Sequence, residues 1–107
     1  MLKKCIAALL LTSVWLAPAS AEEVDMEEGR VVAHTCLGCH GIPFHVNAQP
    51  VFHVPRIKGQ TKGYIKASLH AYRDGSRRHG TMQAQAHTLS DEDIRNVAAW
   101  FAAQGRD

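Results

Sequence analysis

The chain has 107 residues, 46% of them hydrophobic, and its 12 Lys and Arg against 10 Asp and Glu give a formal net charge of +2. This length allows one small domain and excludes a multidomain protein. The charge is close to balance, so the totals give no reason to expect nucleic acid as a partner.

The first 21 residues have the three parts of a secretory signal peptide. Two lysines near the start are followed by an apolar run over residues 5–16 and by an A-x-A cleavage site that ends at Ala21. A retained membrane anchor is the alternative, but the apolar run is too short to span a bilayer comfortably. We therefore predict cleavage after Ala21, export to the periplasm, and a soluble mature domain of residues 22–107 with equal numbers of basic and acidic residues.

The first predicted helix covers about residues 25–35. Acidic residues crowd its start, which suits the positive end of the helix dipole. Its apolar face carries residues at helical spacing. These are Gly29, Val32, Ala33 and Cys36.

The segment Cys36-Leu37-Gly38-Cys39-His40 follows directly and is the attachment sequence for c-type haem. The two thiols can add to the two vinyl groups on one side of the porphyrin, and the adjacent imidazole is then placed to ligate the iron. A redox disulfide and a zinc site are the alternatives. The disulfide reading expects strands alternating with helices, and zinc needs a second ligand pair. We therefore predict one covalently bound haem c, tethered by Cys36 and Cys39, with His40 as an axial iron ligand.

Residues 40–60 are predicted to be irregular, and a haem would organise so long a segment by offering it an apolar surface. The segment contains a repeated phrase, Phe44-His45-Val46 and Phe52-His53-Val54. We expect the Phe and Val residues of both copies to pack on the haem. The two histidines have no predicted role.

The second predicted helix covers about residues 61–74, with Ile65, Leu69 and Tyr72 as its apolar stripe and Gly75 as its C-terminal stop. Basic residues are concentrated in and around this helix. They are Arg56, Lys58, Lys62, Lys66, Arg73, Arg77 and Arg78. They predict either a docking surface for an acidic redox partner or an ordinary solvated face.

Residues 76–89 are again predicted to be irregular, and they contain the candidate for the second axial ligand. Two methionines remain after cleavage; Met26 lies too near the motif to reach the far haem face easily, whereas Met82 lies in this loop. A thioether on iron favours the ferrous state and raises the potential, so we predict Met82 as the sixth ligand. A histidine is the alternative, with His79 as the closest rival. The other histidines available are His34, His45, His53, His70 and His87.

The third predicted helix covers about residues 91–104. Ser90 is a good N-cap, and Asp93 stands three residues later, in the position of a capping box. The apolar face of this helix consists of Ile94, Val97, Ala98 and Phe101.

In this order the elements resemble the class I c-type cytochromes, in the bacterial group that includes cytochromes c4, c5 and c553. The resemblance is carried by Gly29, Cys36 to Gly41, Val54 to Gln60, Tyr64 to Gly75, Met82, and Leu89 to Phe101. It implies an all-α fold, with three main helices and long loops wrapped around one haem. The chain departs from the group between Gly41 and Val54. It also has one haem domain where cytochromes c4 have two, and it lacks the extra cysteine pair typical of c5.

The resemblance also implies roles for individual residues. Gly29 would let the first helix cross the last at close range, against Trp100 or Phe101. The carbonyl of Pro55 would accept a hydrogen bond from the His40 ring, which orients the ring and raises its basicity.

With Met82 as the distal ligand, as the resemblance implies, the haem has no open position for a substrate, and we predict an electron carrier rather than an enzyme. Arg56 lies where a haem propionate is expected, with a solvated arginine as the equal alternative. The predicted partners are redox proteins: a membrane cytochrome complex, a terminal oxidase or a periplasmic dehydrogenase. Two other readings stay open. One is a ligand-binding, sensing or peroxidase-type haem protein, and the other is a cytochrome subunit held tightly on a larger oxidoreductase.

Overall fold

Four helices and one short hairpin make up the regular structure in a computed structural model that describes residues 16–18 and 20–106. The elements in chain order are α1 Met26–His40, β1 Val46–Ala48, β2 Val51–His53, α2 Lys62–Asp74, α3 Gly80–His87 and α4 Asp91–Ala103. The predicted all-α fold is confirmed, with one helix more than expected.

The predicted signal peptide falls mostly on residues 1–15 and Ala19, which lie outside the described residues. The described part of it, residues 16–18 and 20–21, has no regular secondary structure. Among the helices that the structure describes, none combines the length and the apolar character needed to cross a bilayer.

Helix α1 is longer than predicted, because it continues from Thr35 through the whole attachment motif to His40. The Asp25 carboxylate caps its start by accepting from the amides of the second and third helical residues, at 3.0 and 2.9 Å. Gly38 is a weak helix former, but a single glycine is tolerated inside a helix. The helix ends at Gly41, whose amide donates to the carbonyl of Leu37 at 3.0 Å.

Helices α2 and α4 begin and end close to the predicted residues. Thr61 caps α2, and Gly75 closes it in the left-handed conformation, with φ 87°. The predicted capping box of α4 is present: the Asp93 amide donates to the Ser90 hydroxyl at 3.0 Å, and the Ser90 amide donates to the Asp93 carboxylate at 2.8 Å.

Helix α3 contradicts the prediction that residues 76–89 are irregular, and it places Met82 on a helix instead of in a loop. It was missed because Gly80 and Thr81 are weak helix formers and no apolar stripe marks the segment. The residue that begins it, His79, uses its imidazole as the N-cap acceptor. Histidine is not among the residues that usually signal a helix start.

The hairpin of β1 and β2 likewise corrects the prediction that residues 40–60 are irregular. Its strands are antiparallel, with Val46 opposite His53 and Ala48 opposite Val51. The Asn47 amide group donates to the Pro50 carbonyl at 2.8 Å across the turn. Each strand has only three residues, which is too short for sequence alternation to reveal it.

The core lies where α1 crosses α4, with α2 packed beside them. A Cβ atom on Gly29 would lie 2.4 Å from the Asn96 carbonyl oxygen and 3.1 Å from the Trp100 Cβ, so the close crossing that the resemblance implied is present. The buried Asn96 side chain accepts from the Asp25 amide at 3.0 Å and ties the start of α1 to α4. The buried apolar residues of this core are Ala33, Ile65, Leu69, Ile94, Val97, Ala98 and Phe101.

Candidate haem site

One cavity of about 390 Å³ adjoins both the end of the attachment motif and the start of α3. The hairpin, the segment from Val54 to Ile57, and α2 complete its walls. Its lining residues are about equally divided between apolar or aromatic side chains and polar ones. They are Cys39, His40, Asn47, Phe52, His53, Val54, Pro55, Arg56, Ile57, Gln60, Tyr64, Ile65, Ser68, Leu69, Tyr72, Arg77, His79, Thr81 and Met82.

The two motif cysteines lie three residues apart on α1, so they share a face of the helix. Cys36 is half-buried and packs against the core, whereas Cys39 is exposed and borders the cavity. Neither is joined in a disulfide in the described part of the chain. Burial raises the pKa of the Cys36 thiol, which disfavours the thiolate that a metal ion would bind.

The zinc alternative finds no support in the arrangement of possible ligands. Across residues 16–18 and 20–106, no three His, Cys, Asp or Glu side chains are grouped closely enough to hold a metal ion. The two thiols of Cys36 and Cys39 therefore have no second ligand pair to complete a tetrahedral site.

The His40 ring is oriented by the backbone, because its Nδ1 lies 2.6 Å from the carbonyl oxygen of Pro55. A carbonyl can only accept, so Nδ1 carries the proton and Nε2 keeps its lone pair. This is the contact that the resemblance implied. A neutral imidazole with a free Nε2 is the form that ligates a metal, and the hydrogen bond at Nδ1 fixes that tautomer and the orientation of the ring.

Met82 is in the first turn of α3, half-buried, and packs against the core as well as bordering the cavity. The structure thus brings Met82 to the same cavity as Cys39 and His40. The other methionine of the predicted mature chain, Met26, is 43% exposed at the start of α1 and does not line this cavity.

Among the rival histidines, His53 and His79 border the cavity. His79 Nδ1 accepts from the Met82 amide at 3.3 Å, and since an amide N–H can only donate, the proton of a neutral ring is on Nε2. That nitrogen then has no lone pair to offer a metal, which disfavours His79 as a ligand.

The two copies of the repeated Phe-His-Val phrase have different surroundings in the structure. Phe52 and Val54 line the cavity, as predicted, but Phe44 and Val46 do not. Phe44 is 94% exposed and has a φ of 57°, so the expectation that it packs on a haem is wrong. The positive φ is a local feature of the backbone before the hairpin and has no signature in the sequence.

Cationic groups lie along the polar edge of the cavity. The Arg77 guanidinium stacks over the Tyr72 ring at 4.7 Å and donates to the Ser68 hydroxyl at 3.0 Å. Its hydrogen bond to the Tyr64 hydroxyl lowers the pKa of that tyrosine. The sequence placed Arg77 only in a general basic segment, and it carries no signal for this position at the cavity.

A second cavity of about 290 Å³ adjoins the first and shares His40 and Arg56 with it. Lys58 and Arg106 also line it, so three cationic side chains lie beside His40. Guanidinium and ammonium groups in such positions suit the carboxylates of haem propionates. The thiols, the oriented imidazole, the apolar walls and the cationic edge together fit a covalently bound haem.

The comparisons with known proteins agree with this geometry. Residues 25–101 match the family model described as "Cytochrome C oxidase, cbb3-type, subunit III". The chain is 39% identical over 83 residues to cytochrome c-554(548) of Halomonas halodenitrificans, covering 75% of this chain and 96% of that protein. It is 31% identical over 103 residues to cytochrome c4 of Pseudomonas aeruginosa, covering 96% of this chain and 49% of that protein.

A solved structure shares the fold over most of the described chain. The thiosulfate dehydrogenase (TsdBA) of Marichromatium purpuratum superimposes with a TM-score of 0.62 at 26% identity. The match covers 76% of this chain and 19% of that one. The chain thus spans nearly all of the first relative, about half of the second and a fifth of the third. It belongs to the class I c-type cytochromes, with covalently bound haem c and a role in electron transfer.

Proposed function

We propose that this chain is a periplasmic carrier that passes one electron at a time between redox proteins. In this proposal Cys36 and Cys39 form the thioethers to the haem, and His40 and Met82 are the axial ligands. The observation that carries it is the single cavity bordered by both His40 and Met82, with the His40 ring turned by Pro55 so that Nε2 is its unprotonated nitrogen.

Bound haem supplies an iron centre that alternates between two oxidation states one electron apart. Pro55 fixes the proximal ring, and the helical frame holds Cys36 and Cys39 on one face beside it. The Met82 thioether would be the second ligand that the chain supplies to the iron, and it would favour the lower oxidation state. With both positions filled by the chain, no substrate reaches the metal, which favours a carrier over an enzyme or a gas sensor.

The proposed boundary after Ala21 is supported by the contacts of Glu22. Its carboxylate pairs with Lys66 at 2.6 Å and with Arg95 at 3.5 Å, and the hydrogen bond from Lys66 lowers the pKa of Glu22. The folded part of the chain therefore begins at the residue that export and cleavage would leave first. Residues 16–18 and 20–21, by comparison, are exposed.

Ligation is tested by optical spectra and redox titration of the purified holoprotein. Met82→Ala should abolish the sulfur-to-iron charge-transfer band, lower the potential strongly, and open the reduced protein to carbon monoxide. Met26→Ala is the matched control and should change none of these. An unchanged spectrum in Met82→Ala, or rapid carbon monoxide binding by the unmodified protein, would refute the proposed ligation.

The proposed partner has an acidic surface around its own redox centre. Several of the basic residues noted in the sequence are engaged within the chain: Lys66 pairs with Glu22 and Arg73 with Asp91. Arg56, Lys58 and Arg106 surround the second cavity beside His40. Positive charge at this edge would steer an acidic partner towards the haem.

Docking is tested by measuring the electron-transfer rate with an acidic redox protein across a range of ionic strengths. We expect the rate to fall as salt rises, and Lys58→Gln to reduce both the rate and its salt dependence. Arg30→Gln removes the same charge from the exposed face of α1, where Arg30 pairs with Glu27 at 2.6 Å, and should have little effect. A flat salt profile would contradict the docking surface.

A further inference from the structure

We infer that His79 is the positioning residue for the distal ligand: its imidazole, by capping α3, holds Met82 at the haem cavity. The inference rests on the proposed ligation by Met82 and goes beyond it. It assigns a role to His79. The most obvious alternative for this residue is that of an iron ligand, and its hydrogen bonding disfavours that role.

The cap joins His79 to the ligand residue itself. His79 Nδ1 accepts from the backbone amide of Met82 at 3.3 Å, and the His79 amide donates to the Gln83 side chain at 3.1 Å. The Gln83 amide closes the first backbone bond of the helix on the His79 carbonyl at 2.8 Å. These bonds differ from a capping box in two respects: the N-cap acceptor is an imidazole, and the side chain that accepts from the N-cap amide belongs to Gln83, one residue after Met82.

The His79 ring is itself held in place by aromatic contacts. The Phe52 ring meets it edge to face, with centroids 4.5 Å apart, and the Tyr72 ring does so at 6.4 Å. Phe52 belongs to β2 and Tyr72 to α2, and both line the cavity. His79 therefore links two walls of the cavity, through its contacts with Phe52 and Tyr72, to the helix that carries Met82.

Helix α3 is short and packs mainly against α2. It contains eight residues, and Ala86 is its one fully buried residue. Helices this short are unstable unless capped or packed. Loss of the cap should consequently free the first turn, where Met82 lies, before it affects the core of α1 and α4.

Three substitutions distinguish the contribution of the His79 side chain as N-cap acceptor from its contribution as an aromatic ring. His79→Ala removes both, His79→Phe keeps an aromatic ring without an acceptor, and His79→Asn keeps a good capping acceptor without the ring. His87→Ala is the control, because His87 is exposed at the other end of the same helix. The readouts on the holoprotein are the charge-transfer band, the reduction potential, and the affinity of the ferric protein for added imidazole, which competes with Met82.

We expect His79→Ala and His79→Phe to weaken the band, lower the potential and raise the apparent imidazole affinity roughly five-fold, the value of one lost N-cap. His79→Asn should restore values near those of the unmodified protein, and His87→Ala should leave them unchanged. Normal values in both His79→Ala and His79→Phe would overturn the inference. So would a result in which His79→Phe is normal and His79→Asn is impaired, because the ring and not the cap would then hold the ligand.

Met82→Ala, measured alongside, separates this inference from the proposed function. If Met82→Ala loses the band while every His79 variant keeps it, Met82 is the ligand and only the positioning role fails. If Met82→Ala keeps the band, the proposed ligation fails and the positioning role fails with it. Should His79→Ala not mature, the comparison of His79→Phe with His79→Asn still decides between cap and ring.

Discussion

Replacing Gly29 by alanine tests the crossing on which the frame of the protein depends. The added Cβ would lie 2.4 Å from the Asn96 carbonyl oxygen and 2.8 Å from its carbonyl carbon. Both are backbone atoms within α4, so no side chain can rotate away. Ordinary contact begins at 3.4 Å, and α1 and α4 must therefore separate locally by about 1 Å.

The cost of that separation follows from what it disturbs. A gap of about 1 Å forfeits up to half of the dispersion energy between the facing atoms, and Ala33, Val97 and Phe101 are all buried here. Overpacking of this kind costs about 1–3 kcal/mol. Alanine's better helix propensity offsets about 1 kcal/mol of it. We expect a net loss of about 1 kcal/mol in the free energy of unfolding for Gly29→Ala, or a fall in Tm of roughly 4–8 °C.

Thermal and denaturant unfolding of the holoprotein, followed by far-ultraviolet circular dichroism, measure this loss. Gly63→Ala is the matched control, since Gly63 is also helical and a Cβ there meets nothing within 4 Å. Gly63→Ala should stabilise the protein by about 0.5–1 kcal/mol. If Gly29→Ala were as stable as the unmodified protein while Gly63→Ala behaved as expected, the close crossing of α1 and α4 would be refuted.

Further predictions concern the cap of α4, acid stability and haem attachment. Ser90→Ala should lower the free energy of unfolding by about 1 kcal/mol in denaturant titrations, because the Asp93 amide loses its acceptor. The hydrogen bond from Arg73 lowers the pKa of Asp91, so this pair stabilises the fold at neutral pH and stops doing so as the pH falls from 3.8 through the lowered value. Arg73→Ala should therefore reduce the loss in the free energy of unfolding that is measured as the pH is lowered. An acid dependence identical to that of the unmodified protein would refute this. Cys36→Ala should leave one thioether, which the shifted haem absorption and the mass of the attached group would reveal, together with a lower yield of mature protein.

The sequence allowed good prediction where local chemistry decides the structure. The start of α4 follows from Ser90 and Asp93, and the end of α2 from Gly75, because each cap depends on residues within one turn. Gly29 could be assigned to a helix crossing through the resemblance alone, since nothing nearby in sequence indicates the approach of Asn96.

Prediction failed where distant contacts decide the structure. Helix α3 begins with Gly80 and Thr81, and it is stabilised by His79, whose ring is packed against β2 and α2. The three-residue strands of the hairpin are too short for a periodic signal. Phe44, which was expected to pack on the haem, has a positive φ and is exposed to solvent. These segments carry much of the cavity wall, so the surroundings of the site were harder to predict than its proposed ligands.

The two proposed axial ligands are supported very unequally. His40 ends a fifteen-residue helix that is anchored to α4 by buried packing, and its ring is fixed to a backbone carbonyl. Met82 is on an eight-residue helix whose N-cap acceptor is the His79 imidazole. Because local stability differs across a fold, the weaker support yields first. Loss of a ligand under stress should therefore occur on the Met82 side, while His40 and the core around Gly29 stay in place.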